Sequence, residues 1–290
     1  MAESTRSPVV ICADDFGLSS GVSAGIIELI TLRRLSATSA MTGLPGWRRD
    51  SGELSRLVRQ HSADVGLHLT LTGQRPLTSA QGLAANERLP SIATLTRAAL
   101  TRSLPLEAVR AELRAQLDAF EDVWGAPPDY LDGHQHCHIL PGIRRVVMEE
   151  LANRYDGSPW LRSCSETLHR AARRRIGFPK AVMVGAFNTG LRAQAAQRGI
   201  ATNDSFRGFY DFSDRVPYAQ VFRGSIADAA DSGRVLVHCH PGRVDAELVA
   251  LDPLTTPRER ELAYLASSEC GDDLARAGVR AARFVELTEA

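Results

Sequence analysis

The chain contains no run of roughly 18 or more apolar residues, so no membrane-spanning helix is expected. Its opening residues, Met1 to Asp15, hold only a short apolar stretch before two carboxylates, and no secretory signal peptide is expected from them. No Cys-x-x-Cys occurs among the 5 cysteines, which are Cys12, Cys137, Cys164, Cys239 and Cys270. Their odd number and wide spacing exclude a zinc-finger reading and point to a reduced, cytoplasmic setting. Charge of one sign is also lacking: Lys plus Arg and Asp plus Glu are 34 each. A neutral sum offers no support for a nucleic-acid or anionic-membrane partner. No internal repeat, low-complexity tract or linker interrupts the chain, so one domain over residues 1–290 is expected, with a core from about 8 to 287.

What remains is an ordinary globular composition, 44% hydrophobic and 23% charged, arranged as short apolar runs alternating with amphipathic stretches. Val9-Val10-Ile11-Cys12-Ala13 reads as a strand that stops at Asp14-Asp15. Val22 to Leu32 has helical spacing, Ser36 to Thr42 reads as a second strand, Leu54 to His61 as a short helix, and Asp64 to Leu71 as a third strand. Leu106 to Trp124 is the strongest helix, with Leu106, Val109, Leu113, Leu117 and Phe120 on one face. Tyr130-Leu131-Asp132 ends a further strand, Gly142 to Asn153 is helical, Ala181 to Phe187 reads as a strand, and Val235 to His238 is another. Leu77 to Leu104 reads as an insertion or lid. Strands alternating with helices over this length predict an α/β protein with a mostly parallel sheet.

Polar clusters stand where these strands end: Asp14-Asp15; His68; Asp132 with His134, His136 and His138; and His238 with His240. In parallel α/β folds that edge of the sheet carries the active site. Carboxylates and imidazoles converging there from separate strands are the donor set of a divalent metal. Each residue alone has a plainer reading: Asp14 or Asp15 as a helix cap, His68 as a hydrogen-bonded core residue, His240 as a strand terminator. The run Asp132-Gly133-His134-Gln135-His136-Cys137-His138 resists that reading, because three imidazoles on one side of an extended chain are costly to bury unused. His240, before Pro241-Gly242, faces the open edge and suits a general acid. Cys137 and Cys239, between histidines, read as small buried filler.

Ala13-Asp14-Asp15-Phe16-Gly17-Leu18-Ser19 resembles the opening signature of the YdjC-like (ChbG/HpnK) carbohydrate deacetylases. Ser36-Ala37-Thr38-Ser39-Ala40-Met41, Gly66-Leu67-His68-Leu69-Thr70-Leu71, Leu131 to His138 and His238-Cys239-His240-Pro241-Gly242 continue it in order. Pro257-Arg258-Glu259-Arg260-Glu261-Leu262 is similar to the family's closing helix. The resemblance implies a distorted TIM-like (β/α) barrel that removes the N-acetyl group from an N-acetylglucosamine-type saccharide or glycoconjugate, releasing acetate. It implies one divalent cation on Asp15, His68 and His134, with Asp14 as base and His240 as acid or oxyanion stabiliser. His136, His138, Asp132 and His238 would then orient these groups or touch substrate. Two imidazoles and a carboxylate suit zinc, cobalt, nickel or iron, whereas magnesium favours oxygen shells; the metal stays open among the five. A homodimer is implied only by the resemblance. Cys12 stands where the family often has Asn, a departure that removes no ligand. A lipid-linked sugar of the hopanoid type is an alternative substrate. So is another amide or a phosphoester, for which Arg144-Arg145 would be the clamp, and a non-catalytic metal- or sugar-binding protein is the remaining reading.

Overall fold

The computed structural model describes residues 6–288. Eight strands form one sheet in which every pairing is parallel: β1 (Ser7–Phe16), β2 (Ala37–Ala40), β3 (Asp64–Leu69), β4 (Tyr130–Gly133), β5 (Trp160–Leu161), β6 (Ser205–Arg207), β7 (Val235–Cys239) and β8 (Val279–Ala281). The order is β5-β4-β3-β2-β1-β7-β6, with β8 added to the start of β1. The two edges then meet: the Leu161 N–H donates to the Ala201 carbonyl at 2.8 Å, and the Phe206 N–H to Ser165 at 2.9 Å. The sheet is thereby curled into the distorted barrel expected from the resemblance.

Strands covered on both faces need no alternation, and β1 shows why its run forms one. Val9, Val10, Ile11, Cys12 and Ala13 are all fully buried, and β-branched side chains fit the pleat. The helix Ser20–Thr31 follows, its first turn capped by the Ser19 hydroxyl accepting from Val22 N–H. The helix Leu106–Trp124 buries Val109, Leu113, Leu117 and Phe120, each contributing about 1.5–3 kcal/mol of apolar burial. Gly125 ends it in the left-handed conformation at φ 76°, which only a residue without Cβ enters cheaply.

Three local expectations need correction. Ala181 to Phe187 is not a strand but lies in the helix Phe178–Asn188. Its short apolar run is ambiguous by periodicity, and the deciding signals are Pro179 in the first turn and the left-handed Gly177 before it. The short helix near His61 begins earlier, at Pro45, again with proline in its first turn. The segment read as a lid contains the helix Ile92–Leu100, capped by Ser91. Among the described residues no helix is long and apolar enough to cross a membrane.

Candidate active site

Register brings the polar strand ends level. His68 pairs with Asp132 across β3 and β4, and Cys12 pairs with His238 across β1 and β7. β1 does not stop at its aspartates. It runs on to Phe16 through an irregularity in its pairing with β2, and within that irregularity Asp15 takes φ 73°. A bulge of this kind turns successive side chains out of strict alternation, so both carboxylates reach the cleft at the barrel's end. A non-glycine residue in the left-handed region costs about 1–3 kcal/mol, a strain that the contacts around Asp15 hold in place.

Asp15 is the hub of one corner. Its Oδ1 lies 2.9 Å from His134 Nδ1 and 3.2 Å from His68 Nε2. The other oxygen, Oδ2, accepts from Arg258 Nη2 at 2.6 Å. His68 presents Nε2 because Asp132 Oδ1 holds its Nδ1 at 2.6 Å, the carboxylate–imidazole arrangement that orients metal-ligating histidines. Burial pushes the His68 imidazole down, but Asp132, Asp15 and Asp14 outweigh it and lift the group to about 10. Burial likewise pushes the Asp15 carboxyl up, and Arg258 with His134 and His68 holds it well below the usual carboxylate range. The corner therefore draws positive charge. One donor atom each from Asp15, His68 and His134 lie within 4.8 Å of one another. The separations of 2.9 and 3.2 Å suit ligands sharing an ion at about 2.0–2.2 Å, so these residues fit a divalent metal.

A second group lies alongside. Cys12, Asp14 and Asp132 also bring three donor atoms together, but Arg162 occupies their centre. Its Nη2 is 2.7 Å from Asp14 Oδ1, 2.5 Å from Asp132 Oδ2 and 3.0 Å from Cys12 Sγ, and Nη1 is 2.8 Å from Asp14 Oδ2. Burial pushes Asp14 up, yet Arg162, His68 and His240 keep it far below its ordinary value, so it is ionised. His240 Nε2 stands 3.9 Å from Asp14 Oδ2. Burial and His238 hold His240 well below its usual pKa despite Asp14, so it rests neutral.

The three histidines after Gly133 do not share one side of an extended chain. The segment His134–Ile139 is a tight turn in which Gln135 and His136 have φ 53° and 59°, so the rings diverge. His134 meets Asp15. His136 lines the cleft beside Phe206 and Phe209, with centroid distances of 5.5 and 5.6 Å. His138 turns inward, its Nε2 bonded to the Arg162 carbonyl at 3.0 Å. His238 is also interior, with Nδ1 2.7 Å from the Arg207 carbonyl and its ring stacked on Phe206. Burial first, aided by Arg162, lowers both His138 and His238 to about 4, so both are neutral.

The cleft has a volume of about 370 Å³, within the ~300–1,000 Å³ usual for small-molecule sites. Asp14, Asp15, His68, His134 and His240 all line it. Lys180, the only lysine among the 34 Lys and Arg residues, also lines it, with Nζ 4.5 Å from the Phe212 ring centre. Arg144 and Arg145 point elsewhere. The former donates to the Phe187 and Thr189 carbonyls and the latter to Glu149, which leaves a phosphate clamp without its arginines.

Sequence reading passed over Arg162, Arg258 and Lys180. A signal existed for Arg258: at helical spacing it shares a face with Leu262 and Leu265, and a charge on a buried stripe needs a partner. For Arg162 the signal was slight, since β5 is only two residues long.

The profile of the family described as YdjC-like protein matches residues 8–276. A chitooligosaccharide deacetylase of Proteus mirabilis is 35% identical over 141 residues, which are 49% of this chain and 54% of the relative. The chain thus spans about half the length of that relative. Against a chitooligosaccharide deacetylase of Yersinia pestis it is 28% identical over 288 residues, 96% of this chain and 98% of the other. A solved Enterococcus faecalis protein, assigned provisionally to cellobiose-phosphate cleavage, superposes with a TM-score of 0.75 over 97% of this chain and 99% of its own. At 22% identity that likeness shows a shared fold.

Proposed function

The chain belongs to the YdjC-like family, and on that premise we propose that it is a metal-dependent carbohydrate N-deacetylase acting on an N-acetylglucosamine-type saccharide. The observation that carries the reading is one cleft in which the Asp15–His68–His134 corner, an arginine-held Asp14 and a neutral His240 face the same space. The relatives named as chitooligosaccharide deacetylases support the substrate class.

A divalent ion on Asp15, His68 and His134 would supply Lewis acidity toward the acetamide oxygen and acidify a water. Zinc, cobalt, nickel or iron suits this nitrogen-rich set better than magnesium. The chain's own groups do the rest. Asp14, fixed by two bonds from Arg162, is ionised at rest and accepts the proton of the attacking water. Because Arg162 makes it a weak base, it holds that proton only briefly. His240, neutral and 3.9 Å away, is the group to take up a proton and deliver it to the departing nitrogen. Water is consumed, the C–N bond breaks, and acetate and a free amine result. The walls Phe212, Met183 and Leu254 are apolar and suit the faces of a sugar ring. A cytoplasmic setting belongs to the same proposal; all five cysteines are free and buried.

The test is acetate release from a panel of N-acetylated saccharides by protein stripped with a chelator and reloaded with single divalent cations. Metal-dependent release from N-acetylglucosamine oligomers supports the reading. Full activity in the stripped protein, or no binding of any of the ions, would overturn it.

A further inference from the structure

The helix Thr256–Ala266 sits outside the barrel strands, yet two of its side chains reach past the wall to the site. Arg258, 1% exposed, binds Asp15 Oδ2 at 2.6 Å and Asp252 Oδ2 at 2.8 Å through the same Nη2. Its Nε donates to the Leu254 carbonyl at 3.0 Å. Glu261, fully buried, accepts from the His240 backbone N–H at 2.6 Å through Oε2 and from the Tyr210 hydroxyl at 2.5 Å through Oε1. Residues three apart lie on one helix face. One rigid element therefore grips the carboxylate of the metal corner and the backbone of the proton-delivering histidine. Gly242 N–H also donates to the Arg258 carbonyl at 3.2 Å, so the turn after His240 is tied to the same helix.

We propose that Arg258 and Glu261 are a positioning pair, fixing Asp15 and His240 at a set separation from a common support. The inference rests on reading Asp15 as a ligand and His240 as the proton donor. Arg258 occupies one oxygen of Asp15, so that only Oδ1 meets His68 and His134. Without it a carboxylate at the end of a strained strand can rotate and offer the wrong oxygen. Glu261 fixes where the chain leaves β7, and with it the height of the His240 ring over Asp14. The two residues therefore control different quantities. Arg258 governs how tightly the metal is held, and Glu261 governs how well the proton is delivered.

Zinc affinity, measured by competition with a chromogenic chelator, separates them without any substrate. Arg258→Met is expected to weaken zinc binding about 10–100-fold, the usual effect of losing a partner of a ligand. Arg258→Lys, which keeps a donor cation, recovers most of the affinity. Glu261→Ala is expected to leave zinc affinity within about threefold, while kcat falls about 10–100-fold with KM little changed, as for a reacting group displaced by about 1 Å. Glu261→Gln, still an acceptor for His240, restores kcat. If Glu261→Ala does not fold, Tyr210→Phe releases Glu261 more gently and should lower kcat in the same direction. Equal losses of zinc affinity and kcat in both variants would sink the idea, as would melting temperatures that fall while neither zinc affinity nor kcat changes. If no acetylated saccharide is a substrate, the function reading fails on its own. The zinc titration then still decides Arg258, and imidazole NMR decides Glu261, whose alanine variant should move the His240 ring signals but not those of His68 or His134.

Discussion

Two clusters of three potential ligands lie side by side at the same cleft, and they differ in how an arginine meets them. Asp15, His68 and His134 bring two imidazole nitrogens and one carboxylate oxygen together at the cleft, with Asp15 Oδ1 at 2.9 and 3.2 Å from the two nitrogens. Cys12, Asp14 and Asp132 surround the guanidinium of Arg162, which is fully buried. Donor type alone does not distinguish a metal site from an ion-paired core. The distinction comes from where the chain's own cation sits: Arg162 lies between the donors of one cluster, whereas Arg258 binds only Asp15 Oδ2 and leaves Oδ1 to the two imidazoles. Asp132 joins the two, with Oδ1 on His68 and Oδ2 on Arg162, so the filled cluster orients the open one.

The comparison can be broken or sharpened experimentally. The largest effect is expected from Asp14→Asn, which keeps an acceptor for Arg162 but cannot take a proton. Activity should fall about 10²–10⁴-fold with bound metal at the wild-type level, read by metal analysis and acetate release. Loss of the metal as well would mean that Asp14 belongs to the open cluster. Next, Arg162→Met removes the built-in cation, leaving the buried Asp14 without its ion pair and Asp132 held only by His68 and Ser39. Unfolding free energy from urea titration should drop by about 3–5 kcal/mol, and a drop near zero would show that the second cluster needs no fixed cation. Asp132→Asn should weaken metal binding about 10–100-fold; unchanged affinity would separate the clusters.

The smallest effect concerns pH. His138 supports the Arg162 backbone as a neutral ring with pKa near 4, whereas the unfolded chain titrates it near 6.5. Between those values the unfolded state binds the extra proton, so stability falls as pH drops from about 6.5 toward 4. His138→Gln should flatten that part of the stability profile, measured as urea midpoints from pH 7 to 4. An unchanged slope would assign the acid sensitivity elsewhere, with His238 next in line.

The open cluster was far more legible in the sequence than the filled one. Asp15, His68 and His134 stand at or near the ends of strands whose apolar runs are plain, and the family resemblance, rather than spacing, singles them out among the polar groups there. Arg162 follows a strand of two residues, too short for any periodicity. Arg258 arrives from a helix 243 residues beyond Asp15, a distance that spacing arguments do not cross. The histidine run misled for a local reason: alternation predicts a shared side only while the chain stays extended, and Gln135 and His136 leave the extended region at once. The helix Phe178–Asn188 was misread because seven apolar and small residues satisfy both periods, and its termini rather than its body carry the signal.

Lys180 has a practical consequence. With one lysine in the chain, and that one half-buried in the lining of the cleft, any amine-coupling reagent has a single side-chain address. Immobilising the protein through lysine would glue it down by the wall of its own cleft. A fluorophore attached there would instead become a sentinel for whatever enters.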